Sequence, residues 1–288
     1  GDNPQELQLA ILGGNGNTAA QARVIEELAP TVAKHLRKRP SPITALPVRV
    51  DPVGLPSSVA GSPVLGIADR TLEVMGFAAT GPLVVCGSIQ SGRTTAVAWL
   101  AQSLGRWNPG IRLVHISPRR SPLTSLNCWT DSVCGIEQTA AVMSDLRALV
   151  ADHASGPAPV AFRIEDLPDF ADTEADEPLV ELIKACRLAS IPLIAEGEIS
   201  RWSGSWGLVG EIKSSRTGLI LGPDQVDGDA IFKVTLPRCK RADFPPGRGF
   251  WVRAGRVEKV HLPLPGSGSV NPWTDHLGVD SLVSPHNR

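Results

Sequence analysis

The 288-residue sequence has no tyrosine, two methionines and five scattered cysteines. Cys86, Cys128, Cys134, Cys186 and Cys239 make none of the close C-x-x-C pairs that a structural metal site needs. Their odd number also argues against a disulfide framework, so reduced, mostly buried thiols of a cytosolic protein are expected. No apolar run approaches the roughly 20 residues of a membrane-spanning helix. Neither sign of charge is in excess. With a formal net charge of -1 the chain advertises no nucleic-acid surface, and Arg37-Lys38-Arg39 and Lys240-Arg241 read as solvated faces. The six histidines show no triad or metal spacing, and His115 reads as a core residue of a strand. The opening Gly1-Asp2-Asn3-Pro4 has no basic or apolar signal region, so no signal peptide is expected, and the missing initiator Met reads as a boundary within a longer protein.

What is present suits a soluble α/β protein. Residues 7–12 (LQLAIL) read as a strand, 13–16 as a turn, and Thr18 as the cap of a helix ending near Lys38 before Pro40. Gly14-Asn15-Gly16 mimics a dinucleotide fingerprint, but no acid follows about 20 residues on, and a turn with a helix cap explains it. Prolines are dense from Pro40 to Pro63, with a short strand expected over 48–50 and a hairpin over 64–67 and 72–77. From Gly81 onward strands alternate with helices: strands over 83–86, 112–116, 160–164 and 192–195, helices over 94–104, 136–153 and 178–189. Such alternation predicts a mostly parallel sheet with helices on both faces. Gly218–Leu221 and a C-terminal hairpin over 250–253 and 257–262 follow, then a Gly-, Ser- and Pro-rich tail from 266 that is expected to be flexible. The segments 6–13 and 256–263 echo one another in pattern, which suggests that 1–40 carries the closing strand and linker helix of a preceding, similar module.

The segment Gly87-Ser88-Ile89-Gln90-Ser91-Gly92-Arg93-Thr94-Thr95 has the glycine spacing of a phosphate loop, between an apolar strand and a helix. Its glycines let backbone N–H groups face phosphate oxygens, and the helix N-terminus adds a favourable field. Thr94 stands where a hydroxyl would ligate Mg²⁺. Arg93 replaces the usual lysine; its planar fork binds phosphate but does not reproduce a point charge between two phosphates. Beyond the strand at 160–164 stand Glu165 and Asp166, the place for an acid that orients Mg²⁺ and another that polarises water. Arg163 interrupts that apolar strand, and the pair also reads as a helix cap or a loop acid pair.

In this order of elements the chain resembles the FtsK/SpoIIIE ATPases, including the tandem ATPase modules of EccC-type type VII secretion motors. The resemblance runs over about 41–265 and rests on Gly87–Thr95, Glu165-Asp166, Ile191–Ala195, Ser215-Arg216-Thr217 and the segment from Pro245 to Arg253. It implies a RecA-like P-loop fold with a C-terminal β-hairpin, ATP and Mg²⁺ as ligands, and Arg216 as an arginine that meets a neighbouring subunit's nucleotide; a surface or structural ion pair is the other reading of Arg216. It also implies a hexameric parent protein with sibling ATPase modules, cytoplasmic and attached to the membrane through that parent, and a peptide of a secreted substrate as a ligand. Glu196-Gly197-Glu198 departs from the polar sensor expected after 191–195, and carboxylates there would repel a γ-phosphate. Arg93, Glu165 and Glu196 together suggest a degenerate module with weak or absent hydrolysis and a regulatory, scaffolding or peptide-binding role. The competing readings are an active ATP-driven DNA translocase and an α/β interaction domain that binds only an anion. Trp202 and Trp206, in a Ser/Gly-rich stretch, suggest either an exposed two-indole partner pocket or a lid packed on the core.

Overall fold

The computed structural model describes residues 11–35, 45–151, 160–204 and 206–264. The chain divides into two units, 1–44 and 45–288. In the first, Leu12–Gly14 form a 3-10 turn, followed by helix α1 (Thr18–His35). At the described end of the expected strand over 7–12, Ile11 is extended and Leu12 already enters the 3-10 turn, while the left-handed Gly13 and Gly14 (φ 68° and 67°) make the expected turn. Residues 7–10, like 36–44 and the tail from 266, lie outside the described residues. The cap of α1 is Asn17, not Thr18, because the Asn17 Oδ1 accepts from the N–H groups of Ala19 (2.9 Å) and Ala20 (3.3 Å).

The second unit is built on one large sheet. In chain order its elements are β1 (Ser58–Val59), β2 (Ser62–Ala68), β3 (Val74–Gly76), β4 (Pro82–Gly87), α2 (Arg93–Trp107), β5 (Arg112–Ser117), β6 (Asp131–Cys134) and α3 (Ile136–Ala151). There follow β7 (Val160–Ile164), α4 (Asp176–Leu188), β8 (Leu193–Glu198), α5 (Gly207–Lys213), β9 (Gly218–Leu221), α6 (Asp227–Phe232), β10 (Arg248–Arg253) and β11 (Arg256–His261). The strand order is β1-β2-β11-β10-β9-β4-β8-β7-β5-β6, with β3 beside β2. Strands β4 to β9 run parallel, and the hairpin β10–β11 and β1–β3 add an antiparallel wing.

Every residue of β4 is buried, which is why it reads as an unbroken apolar run: a central parallel strand is covered on both faces. Val84 and Cys86 face the cluster built with α3 to α6, whereas Leu83 and Val85 face Trp99, Leu100 and Leu104 of α2. Two elements depart from expectation. No strand forms over 48–50, where Pro47 and Pro52 bracket the segment and remove ladder donors. Strand β8 does not stop at Ala195 but runs to Glu198, because Glu196, Gly197 and Glu198 pair with Val85, Cys86 and Gly87 of β4. That register carries Glu196 into the sheet beside the phosphate loop.

Candidate nucleotide site

The site forms at the carboxyl ends of β4, β7 and β8. Leaving β4, the chain turns through Gln90 (φ 65°) and Gly92 (φ 85°) into α2, so the expected loop between strand and helix is present. The packing leaves no room for side chains at its glycines. A methyl group on Gly87 would stand 2.4 Å from Ser91 Oγ, and one on Gly92 would stand 2.8 Å from the Gly247 nitrogen. Gly247 N–H donates to Ser91 O at 2.9 Å, so the turn before β10 braces the loop from outside. Ser88 is half-buried, Ile89 and Thr94 are exposed and Thr95 is half-buried.

Arg93, the first residue of α2, does not point away from the protein. Its Nη1 donates to Gly87 O at 3.2 Å, its Nε lies 2.7 Å from Glu196 Oε2, and its Nη2 lies 3.7 Å from Asp166 Oδ1. The 2.7 Å contact is an ion pair whose N–H is not directed at the oxygen, so neither atom gains a hydrogen bond from it. The guanidinium folds back across the strand ends.

Behind it lies a buried ionic cluster. Glu165 Oε2 accepts from Ser121 Oγ (2.8 Å), His115 Nε2 (3.0 Å) and Arg163 Nη1 (3.2 Å). Arg163, 2% exposed, also reaches Glu196 Oε1 with Nη2 at 3.4 Å, and the Asp166 N–H donates to the same oxygen at 3.2 Å. His115 is fully buried, as its strand position implied, and its Nδ1 meets Ser132 Oγ at 3.0 Å. Burial lowers the His115 pKa, so the neutral ring carries its proton on Nε2 toward Glu165. The Trp129 ring stacks on His115, with centroids 4.9 Å apart. Asp166, left-handed at φ 42°, is held by Arg119 at 2.7 Å; Arg119 also pairs with Asp169, which Arg201 reaches at 2.8 Å.

The acids differ in proton affinity for stated reasons. Burial alone would raise Glu165, but the hydrogen bond from His115, the charge of Arg163 and the Ser121 hydroxyl overcome it and hold the carboxyl at about 2. Burial raises Asp166 against the pull of Arg119 and Arg93, and burial raises Glu196 against Arg163 and Arg93. For Glu165 the depressed value stabilises the fold fully above its ordinary pKa of 4.5, and that contribution disappears as pH falls toward about 2. A protein with Glu165→Gln is therefore expected to lose on the order of 2–3 kcal/mol less stability over this interval than the parent, read from urea denaturation at stepped pH. Equal slopes for parent and variant would contradict the assignment.

The expected site residues do not all converge. Arg93, Asp166 and Glu196 meet directly, and Glu165 joins them through Arg163. Arg216 does not join them. It is exposed, at φ 47°, and precedes β9, whose parallel register with β4 places it at the opposite end of the sheet from the loop. Of the two indoles in the 201–207 stretch, Trp206 is 90% exposed, but Trp202 is buried. Of the two readings of this stretch, packing on the core holds for Trp202 and exposure only for Trp206; Trp202 lies over Gly197, where a methyl group would stand 3.1 Å from its Nε1. Arg119 and Ser121 were not anticipated; the signal for the cluster was Arg163, a cation in an apolar strand that requires buried acids nearby.

No protein-family model matches the sequence, and no curated protein matches it. Among solved structures the fold matches Thermomonospora curvata EccC (ATPases 2 and 3) in complex with a signal sequence peptide. The TM-score is 0.63 at 17% identity, over 90% of this chain and 51% of that one. EssC (ATPases 2 and 3) from Geobacillus thermodenitrificans matches with a TM-score of 0.63 at 18% identity, over 85% of this chain and 50% of that chain. The pCW3 conjugation coupling protein TcpA, in monomer form with ATPgS, matches with a TM-score of 0.58 at 12% identity, over 84% of this chain and 82% of that one. The chain spans about half the length of the EccC and EssC chains. At these identities the likeness is one of fold. The protein has a mixed α/β fold with a mostly parallel sheet, shared with these P-loop ATPases, as the sequence led one to expect. No helix among the described residues is long and apolar enough to cross a membrane.

Proposed function

We propose that this chain is a non-hydrolysing FtsK/SpoIIIE-type module of a larger translocation or secretion motor, acting as a regulatory or scaffolding part on the cytoplasmic side. The observation that carries the reading is the 2.7 Å ion pair between Arg93 and Glu196. A working phosphate loop needs its cation free to follow the transferred phosphoryl group and its acids free to orient water and metal. Here the cation is committed to Glu196, Asp166 is committed to Arg119, and Glu165 accepts from three donors at once. Sibling ATPase modules of the same parent and a peptide from a secreted substrate are the proposed partners; the EccC structure solved with a signal sequence peptide makes the second concrete. The position of Arg216 at the end of the sheet away from this chain's own loop supports a role toward a neighbour's nucleotide. The net charge of -1 gives no support to a DNA-gripping role.

The test is phosphate release from Mg·ATP by the full chain, compared with a Thr94→Ala/Asp166→Ala double variant. Equal rates are expected. Release by the parent well above the variant would return the chain to the active motors.

A further inference from the structure

A P-loop ATPase fold implies a Mg²⁺ ion between the loop hydroxyl and the acids of the neighbouring strand, and the residues here do not fit it. Thr94 is in place, but the acids are already neutralised. Glu165, Asp166 and Glu196 are matched one for one by Arg93, Arg119 and Arg163, all within a single contact network. Arg93 itself stands between Asp166 and Glu196, bridging the ends of β7 and β8 at the position where a cation would be shared. A dication placed there would face a guanidinium at contact distance and acids with no charge to spare. Among the described residues no group of three or more His, Cys, Asp or Glu side chains is arranged to hold a metal ion.

The phosphate-facing half of the loop is intact. Gly92 caps α2 without a side-chain bond, which leaves the first-turn N–H groups of a 15-residue helix uncapped by side chains. Ser91, more than nine-tenths buried, keeps its Oγ inside the loop without a partner. Arg93, with its Nε held against Glu196 at 2.7 Å, keeps its Nη1 on Gly87 O and its positive charge beside the loop. These are neutral or cationic donors suited to phosphate oxygens. With no metal ion to bridge the second phosphate to a third, these donors suit a diphosphate.

We infer that the guanidinium of Arg93 stands in for the divalent cation, so that the Gly87–Thr94 loop takes a nucleoside diphosphate without Mg²⁺. The inference rests on the reading of the chain as a non-hydrolysing P-loop module and names the ligand of that site.

The experiment is titration of a fluorescent ADP analogue into the full chain, once with excess EDTA and once with saturating MgCl₂. The two dissociation constants are expected to agree within about threefold, and tightening by Mg²⁺ of about tenfold or more would overturn the inference. Failure of ADP to bind in either buffer overturns it too, while leaving the non-hydrolysing reading intact; turnover of ATP strikes that reading instead. Arg93→Lys restores a compact point charge and is expected to make binding Mg²⁺-dependent. If that variant binds equally in both buffers, Arg93 is not the stand-in. If it does not fold, the comparison on the parent chain decides alone.

Discussion

Replacing Arg163 with methionine is expected to lower the unfolding free energy by about 5 kcal/mol, the upper end of the cost of breaking a buried ion pair. The reason lies in what the arginine leaves behind. Its fork reaches Glu165 with Nη1 and Glu196 with Nη2, and all three side chains are almost fully buried. Methionine fills similar volume, so the loss is electrostatic rather than a cavity. The charge of Arg163 is also among the effects that keep Glu165 at about 2, so the variant's carboxyl rises and takes up a proton at higher pH. The check is urea denaturation of Arg163→Met beside Arg163→Met/Glu165→Gln/Glu196→Gln. The triple variant removes the stranded charges and is expected to recover a substantial part of the loss. A triple variant no more stable than the single one would mean that the cluster is not electrostatically closed.

The second large effect is expected at Arg93. Truncation to alanine strips one of two guanidiniums from Glu196, whose side chain is 3% exposed, and is expected to cost about 3 kcal/mol. In a phosphate loop that holds its cation ready for a ligand, the same truncation would change binding and leave stability of the ligand-free chain nearly untouched. The size of this effect therefore shows whether Glu196 already holds the cation before any ligand arrives.

Much of this architecture was legible in the sequence, and the reasons are local. The strand at 83–86 announced itself because a buried parallel strand is a continuous apolar run, and those at 112–116 and 160–164 because they are apolar apart from Arg112, His115 and Arg163. The loop announced itself because its glycines have steric duties that the packing at Gly87 and Gly92 makes plain. The illegible parts depend on partners distant in sequence. Strand β6 is a four-residue edge strand of mixed polarity, and α6 begins Asp-Gly-Asp, too short for a helical period to show. Strand β8 was read too short because Glu196 and Glu198 look like loop residues until β4 is laid beside them. Each acid then looked like a defect on its own. Only the register that sets His115 opposite Arg163, and Arg163 within reach of both Glu165 and Glu196, shows that the departures neutralise one another. Which of the two indoles packs on the core was hidden for the same reason, since their Ser/Gly-rich neighbours say nothing of the bare Gly197 that Trp202 covers.

The most direct test is a double-mutant cycle on Arg93→Ala and Glu196→Gln, read from equilibrium unfolding at neutral pH without nucleotide. The account predicts a coupling of about 1–3 kcal/mol between the two positions, with the double variant more stable than the sum of the single losses implies. Additive losses would show that Arg93 and Glu196 ignore one another, and would contradict the claim that the loop's cation is already taken.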